Sequence, residues 1–257
     1  MSQRDRPTGL QLLRVGKSYR QSAPVLRDVT LTIEPGEVVS VSGANGCGKS
    51  TLLRLAAGLV APTYGVARRA PRTALVPDRF SPPPRMTGRS YLRHHARMRG
   101  LEPRPAERRA SELAERLGVY PGLDVDLDRL SQGNARKVQV AQAFLAPDGL
   151  VLLDEVAGVL DEGGLAAVDA LVDEAARDGA AVLRTDPSGV PVQAATYFRL
   201  IGGSLERVVP AGAATLTLGP AEDPSRPVRL TVAGSDADRV LLERLREGWS
   251  VLRVERE

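Results

Sequence analysis

Lysine is nearly missing from this chain. Of 35 cationic side chains over 257 residues, only Lys17, Lys49 and Lys137 are lysine, and arginine supplies the other 32. The bias reads as a GC-rich coding preference, and it makes a lysine at a chemically demanding position informative. Cysteine is scarcer still: Cys47 stands alone, which excludes an internal disulfide and suits a reducing compartment. No apolar run approaches the roughly 20 residues needed to span a bilayer. The first residues, MSQRDRPTGL, are polar with no apolar core, so no secretory signal is expected. Internal repeats and low-complexity tracts are absent. What remains is the balance of an ordinary globular protein, 42% apolar and 26% charged with a net charge of +4, long enough to bury a substantial core.

Residues 10–40 alternate apolar and polar side chains in LQLLRV, VLRDVTLTI and EVVSV, with a turn at Glu34-Pro35-Gly36. This predicts antiparallel strands that lead into a buried strand at Val38 to Ser42. A helix is expected over Leu52 to Leu59, ending before Pro62, and another short buried strand over Ala74 to Pro77. SPPPRM then acts as a stiff link, followed by helical patterns at Ser90 to Arg99, Pro105 to Leu117 and Gln132 to Leu145. These helices read as an insertion, at about 81–146, within an α/β protein. Leu150 to Leu153 is a continuous apolar strand, Gly164 to Arg177 a helix and Ala180 to Thr185 the next strand. The core therefore reads as alternating β and α around a mostly parallel sheet. The tail gives strand, strand, helix and strand signals at LTLG, VRLTVAG, ADRVLLERLREG and VLRVE.

The chemistry begins where an apolar strand runs into glycines and restarts as an apolar helix. Gly43-Ala44-Asn45-Gly46-Cys47-Gly48-Lys49-Ser50, followed by Thr51, matches G-x-x-x-x-G-K-[ST] in the strand-to-helix setting that a phosphate loop requires. Glycines let successive backbone N–H groups turn inward around a β-phosphate, and the new helix aims its positive end at the same place. Lys49 is placed to bridge the β- and γ-phosphates, and Ser50 to offer a hydroxyl to Mg²⁺. A plain glycine-rich turn is the alternative, and the conjunction of pattern and context argues against it.

LVLLDE, Leu150 to Glu155, is the second element. A buried parallel strand delivers Asp154 at its carboxyl end, where α/β sheets bind ligands, so its carboxylate can enter a Mg²⁺ shell. Glu155 follows, placed to polarise a water in line with the γ-phosphate. Alone, an apolar strand ending in Asp-Glu is commonplace and usually marks a solvated strand end; behind a phosphate loop it means much more, and Glu155, Lys49 and Asp154 are the catalytic candidates.

The third element, Leu130-Ser131-Gln132-Gly133-Asn134, opens a helix just upstream of that strand. With it the chain resembles the nucleotide-binding subunit of an ABC transporter, whose signature is usually LSGGQ. The order of phosphate loop, helical insertion, signature, DE strand and Leu-Asp loop is reproduced from Leu10 to about Val209. The resemblance implies the ABC type of P-loop NTPase fold, with an N-terminal antiparallel β subdomain beside the parallel core. It also implies that Leu160-Asp161 is the D-loop and that Tyr19 is the aromatic that stacks on adenine, although a tyrosine in an ordinary strand reads equally well. It further implies ATP with Mg²⁺, sandwiched in a head-to-tail dimer between one subunit's phosphate loop and the other's Ser131 and Gly133.

Two positions depart from the family. Where a Gln usually follows the Val-Pro strand end and touches Mg²⁺, this chain has Asp78, shorter and anionic. Where a His usually follows the strand Ala180 to Thr185 and meets the γ-phosphate, it has Asp186. A carboxylate repels a triphosphate, so slow hydrolysis is expected. The only histidines, His94 and His95, lie in the insertion and read as exposed helix residues rather than ligands.

Arg85, Arg89, Arg93 and Arg97 recur every four residues, and Arg99, Arg104, Arg108 and Arg109 follow. The plainest reading is a solvated basic face with ion pairs to Glu102 and Glu107. The resemblance offers a second, contact with the membrane partner or with anionic headgroups. Nucleic acid ranks last, because no aromatics are interleaved and the net charge is small. The expectation is thus an ATP-binding domain over 1–212 and a β-α-β-like appendix over 213–257. The subunit would serve an exporter, peripheral at the inner face of the cell membrane, with a separate permease and a second ATPase subunit. A soluble ABC-type switch and a degenerate regulatory subunit are the alternatives.

Overall fold

The structure is a computed structural model that describes residues 9–19, 23–186, 195–208, 213–220, 228–233 and 249–256. Three strands, β1 (Leu10–Lys17), β2 (Leu26–Ile33) and β4 (Tyr64–Arg69), form an antiparallel sheet in the order β2-β1-β4. The turn at Glu34 closes as read, with Glu37 N donating to Glu34 O at 3.1 Å and Gly36 at φ 85°. A six-stranded sheet, in the order β5-β6-β7-β3-β8-β9, carries the core. It comprises β3 (Val38–Ser42), β5 (Thr73–Val76), β6 (Leu150–Asp154), β7 (Ala181–Asp186), β8 (Ala195–Ile201) and β9 (Ser204–Arg207). All its pairings are parallel except β8 with β9, so β9 closes one edge antiparallel.

The alternation of side chains along these strands divides the interior in two. Val39, Val41, Leu150, Leu152, Ala181 and Leu183 face the antiparallel sheet and α1 (Lys49–Ala56). Val38, Val151, Leu153 and Val182 face the helices of the insertion and α5 (Glu162–Arg177). A sheet covered on both faces favours apolar residues on both, which is why LVLL reads as an unbroken run and VVSV is interrupted only by the buried Ser40. The parallel strands also bring all their carboxyl ends to one edge. In register, Asp154 lies opposite Thr185, and Ser42 opposite Asp186.

The insertion holds α2 (Gly88–Met98), α3 (Pro103–Arg116) and α4 (Gln132–Ala141), the last tightening into a 3₁₀ turn at Gln142–Phe144. Thr87 caps α2 by accepting from Ser90 N, Ser131 caps α4 from Asn134 N and Asp161 caps α5 from Gly164 N, each satisfying an orphan donor of a first turn. Helix α1 starts at Lys49 and ends at Ala56, about a turn earlier than the apolar periodicity suggested, because its first turn is made by the phosphate loop itself. Strand β4 had no sequence signal: YGVARR is an edge strand with an exposed or half-buried pattern throughout, so no alternation marks it.

The arginine stripe is not uniform. Arg89 is held by Glu107 and, at 2.7 Å, by Asp124, whereas Arg93 and Arg97 are exposed. His94 is exposed as expected, but His95 is half-buried and packs against Tyr91, with ring centroids 4.4 Å apart and the rings tilted by 56°. Tyr91 in turn meets Phe80 edge-on at 5.6 Å, which ties the loop after β5 to α2. Burial, then the nearby Arg99 and His94, push the His95 imidazole down to about 4. In the unfolded chain it titrates at about 6.5. Between those values the unfolded chain holds a proton that the native protein refuses, so stability falls as pH drops from about 6.5 towards 4. The expected loss is about 2 kcal/mol after allowance for partial exposure, and urea melts of His95→Phe should lack that component of the pH slope.

At the C-terminal end, β10 (Ala213–Pro220), β11 (Val228–Ala233) and β12 (Trp249–Arg256) form a separate antiparallel sheet in the order β11-β10-β12. The three strands agree with the tail's strand signals. The helix expected at ADRVLLERLREG lies outside the described residues.

Candidate functional site

The phosphate loop leaves β3 at Ser42 and enters α1 at Lys49. Gly48 sits at φ 115° against the backbone of Val25, and a Cβ on Gly43 would lie 2.8 Å from Leu200 O. At both positions any side chain would be strained or would collide. Lys49 is 4% exposed. Its ammonium donates to Gly43 O at 2.7 Å and to Ala44 O at 3.2 Å, and it pairs with Glu155 Oε1 at 3.0 Å. Three donors thus meet three acceptors. Ser50 is half-buried beside it and Thr51 is buried in the first turn, while Ala44, Asn45 and Gly46 are open to solvent and Cys47 is half-buried. The first turn of α1 carries no acidic residue, so its positive end is left for an anion.

Asp154 ends β6 and is 3% exposed. Its Oδ1 accepts from Thr185 Oγ1 at 2.8 Å, and the same Thr185 oxygen accepts from Glu155 N at 3.1 Å. Glu155 lies in the left-handed region at φ 47°, ψ 46°, a conformation that costs a non-glycine residue of order 1 kcal/mol. Its neighbours hold it there. The carbonyl of Asp154 accepts from Arg136 Nη2 at 2.8 Å, so the peptide between Asp154 and Glu155 is bonded at both its oxygen and its nitrogen.

Asp186, at the end of β7, is 5% exposed and stands level with Ser42, one residue before the loop. Asp78 is exposed after β5. It lines a cleft of about 690 Å³ with Phe80, Gln132, Arg136 and Val159. Tyr19 follows β1, on the other sheet. It is 39% exposed, with Lys17 Nζ 5.0 Å from its ring centroid, a cation–π contact. Ser131 and Gly133 stand at the start of α4 in the insertion. Among the described residues no hydrogen bond joins them to residues 43–51, and a Cβ on Gly133 would lie 3.3 Å from Val159 O. Asp161 accepts from Gly164 N at 2.9 Å and pairs with Lys137 at 2.9 Å. The lysine first, and then the backbone N–H, hold its carboxyl below the usual range.

The edge where five strands end therefore collects a cationic anchor, a buried carboxylate, a second carboxylate aimed at the anchor and an N-terminal helix dipole. That set can bind a polyphosphate and activate a water. The sequence profile of the ABC transporter family matches residues 26–158. The chain belongs to the ABC transporter family. This ABC subunit is 35% identical over 185 residues to the lipoprotein-releasing system ATP-binding protein LolD of Alcanivorax borkumensis, covering 64% of this chain and 81% of that one. It is 38% identical over 162 residues to the aliphatic sulfonates import ATP-binding protein SsuB 1 of Rhodococcus jostii, covering 60% and 62%. Among solved structures, an ATP-binding subunit of an ABC transporter superposes with a TM-score of 0.71 at 26% identity, over 76% of this chain and 87% of that one. The α/β fold of the ABC type, with its antiparallel subdomain and helical insertion, is thereby shown. No helix among the described residues is long and apolar enough to cross a membrane.

Three residues here escaped the sequence reading: Thr185, Arg136 and Lys137. Arg136 and Lys137 share one linear signal, charge where apolar residues belong, immediately before the apolar run of α4, and Thr185 has none. Among the described residues no cluster of three His, Cys, Asp or Glu side chains is set to hold a metal. The chemistry of a buried Asp154 carboxylate and a half-buried Ser50 hydroxyl suits Mg²⁺, which takes one or two protein ligands and completes its shell with phosphate oxygens and water.

Proposed function

We propose that this ABC subunit binds ATP in a head-to-tail dimer and hydrolyses it slowly to drive an exporter permease encoded on another chain. The observation that carries the reading is the Lys49–Glu155 contact at 3.0 Å, which puts phosphate anchor and base face to face. Arriving phosphates take over Lys49, and Glu155, released, accepts a proton from the water that attacks the γ-phosphate. The N–H groups of Gly43 to Ser50 cradle the β-phosphate. Ser50 and Asp154, with Asp78 as a further candidate, would hold Mg²⁺, which supplies neutralisation of the charge that builds on the phosphate oxygens. Ser131 of the partner subunit, with the N-terminus of its helix, caps the γ-phosphate from the far side, Asp161 borders the same interface, and Tyr19 stacks on adenine.

Residues 1–212 form the ATP-binding domain in this reading and 213–257 an appendix. Export is favoured because the releasing-system relative aligns over 81% of its length, against 62% for the sulfonate importer and 65% for a zinc importer, ZnuC of Cereibacter sphaeroides. The subunit then works on the cytoplasmic side of the membrane, held there by its permease. Affinity purification of the tagged chain from solubilised membranes tests this. A polytopic membrane protein should co-purify in stoichiometric amount. Ribosomes or nucleic acid in its place would replace the transporter reading with a soluble switch, and a retained solute-binding protein would reverse the direction to import.

A further inference from the structure

Arg136 is buried to 2% exposure on α4, among the apolar residues of the insertion. A guanidinium so placed is costly unless its donors are used. Two of its hydrogen bonds go to main-chain carbonyls of the catalytic edge and a third to a side chain of its own helix. Nη1 donates to Pro77 O, the last carbonyl before Asp78, and to Gln139 Oε1 at 2.5 Å; Nη2 donates to Asp154 O at 2.8 Å. Nε has no partner. A side chain needed only to fill space would be apolar here; this one spends two donors on the carbonyl ends of two adjacent strands, β5 and β6.

The Asp154–Glu155 peptide is where that matters. Its oxygen is held by Arg136 and its nitrogen by Thr185 Oγ1. A peptide fixed at both ends cannot rotate, and its orientation sets φ of Glu155 at 47°, from which the carboxylate reaches Lys49. Without the guanidinium the carbonyl is free to turn, and Glu155 relaxes to an ordinary conformation that aims its side chain elsewhere.

We propose that Arg136 is a positioning residue for Glu155: with Thr185 it clamps the Asp154–Glu155 peptide and keeps the carboxylate on the line between Lys49 and the attacking water. The inference deepens the reading of Glu155 as general base and rests on it. It also means that the helix headed by the signature residues Ser131 and Gly133 is bolted to the base of its own subunit.

The test compares Arg136→Gln and Arg136→Lys with the wild type and with Glu155→Gln in the full-length chain, after thermal melts establish folding. ATP turnover of Arg136→Gln should fall about 10- to 100-fold, the scale of a misplaced catalytic group, with KM for ATP within threefold. Arg136→Lys, which keeps the charge but reaches one carbonyl at a time, should lose less. In the Glu155→Gln background, Arg136→Gln should cost nothing further, because no base remains to be positioned. Losses that multiply in the double variant, or unchanged turnover in both Arg136 variants, would overturn the inference. Crystal structures of the folded Arg136 variants decide independently of activity: Glu155 should leave the left-handed region and release Lys49. A Glu155 still at its native φ, and still paired with Lys49, defeats the clamp even if the wild type proves inactive. Full turnover in Glu155→Gln itself defeats the base assignment instead, and leaves the clamp to be judged by those structures.

Discussion

Glu155→Gln is expected to lower ATP turnover by about 10²- to 10⁴-fold, the usual worth of a positioned general base, while leaving ATP bound at least as tightly. The two halves of that result have one origin. Glu155 is a partly exposed carboxylate, its side chain 23% accessible, whose Oε1 shares the Lys49 ammonium with two loop carbonyls. An amide of the same shape can still accept from Lys49, so the loop geometry survives. It carries no charge to compete with incoming phosphates and no basicity to accept a proton from water. Phosphate release at saturating ATP, beside a fluorescent-nucleotide titration, separates the two. A kcat loss with KM flat or lowered marks an interaction used in the transition state. Turnover within threefold of wild type would mean that another group takes the proton.

The second expectation runs the other way. Asp186→His should raise turnover about tenfold or more, because it exchanges an anion beside the phosphate loop for a group able to donate to a γ-phosphate. The placement gives the argument its force. Asp186 is 5% exposed and level with Ser42, one residue before the loop begins, so solvent screens it poorly. Asp186→Asn divides the effect: if repulsion is the handicap, Asn recovers most of the gain, and if a positioned donor is missing, only His does. Should neither variant exceed the wild-type rate in a steady-state phosphate assay, Asp186 is no handicap and slow turnover loses its main support.

Much of the site was legible because its parts are close in sequence to signals of secondary structure. Lys49 is fixed by the spacing of its own glycines, and Asp154 by the apolar run that ends in it. Ser131 declares itself as a capping serine ahead of a helix. Thr185 and Arg136 were not legible, since what brings them into the site is a partner about 30 or 18 residues away in sequence, at Asp154 and Glu155. That proximity exists only after β6, β7 and α4 have assembled. Strand β4 was missed for a different reason: an exposed edge strand has no buried face to leave a pattern. His95 was read as exposed because it lies in the helical insertion, yet its side of α2 is the one that carries Tyr91 and the half-buried Arg99. Helix periodicity could place it on that face, but what the face meets is a tertiary fact.

The order of the strands has a consequence for the life of the chain. The site's parts lie at Gly43, Pro77, Asp154 and Thr185, on four strands that are neighbours in the sheet but spread over more than half of the sequence. No fragment of the fold carries all four parts, so on the reading proposed above the nucleotide is a ligand of the folded chain and not of the unfolded one. Every increment of ligand binding is therefore an increment of stability for the whole sheet, growing by about 1.4 kcal/mol for each tenfold rise in free nucleotide above its dissociation constant. On that ATP-binding reading, the chain without ATP opens more often to proteases than the chain saturated with it.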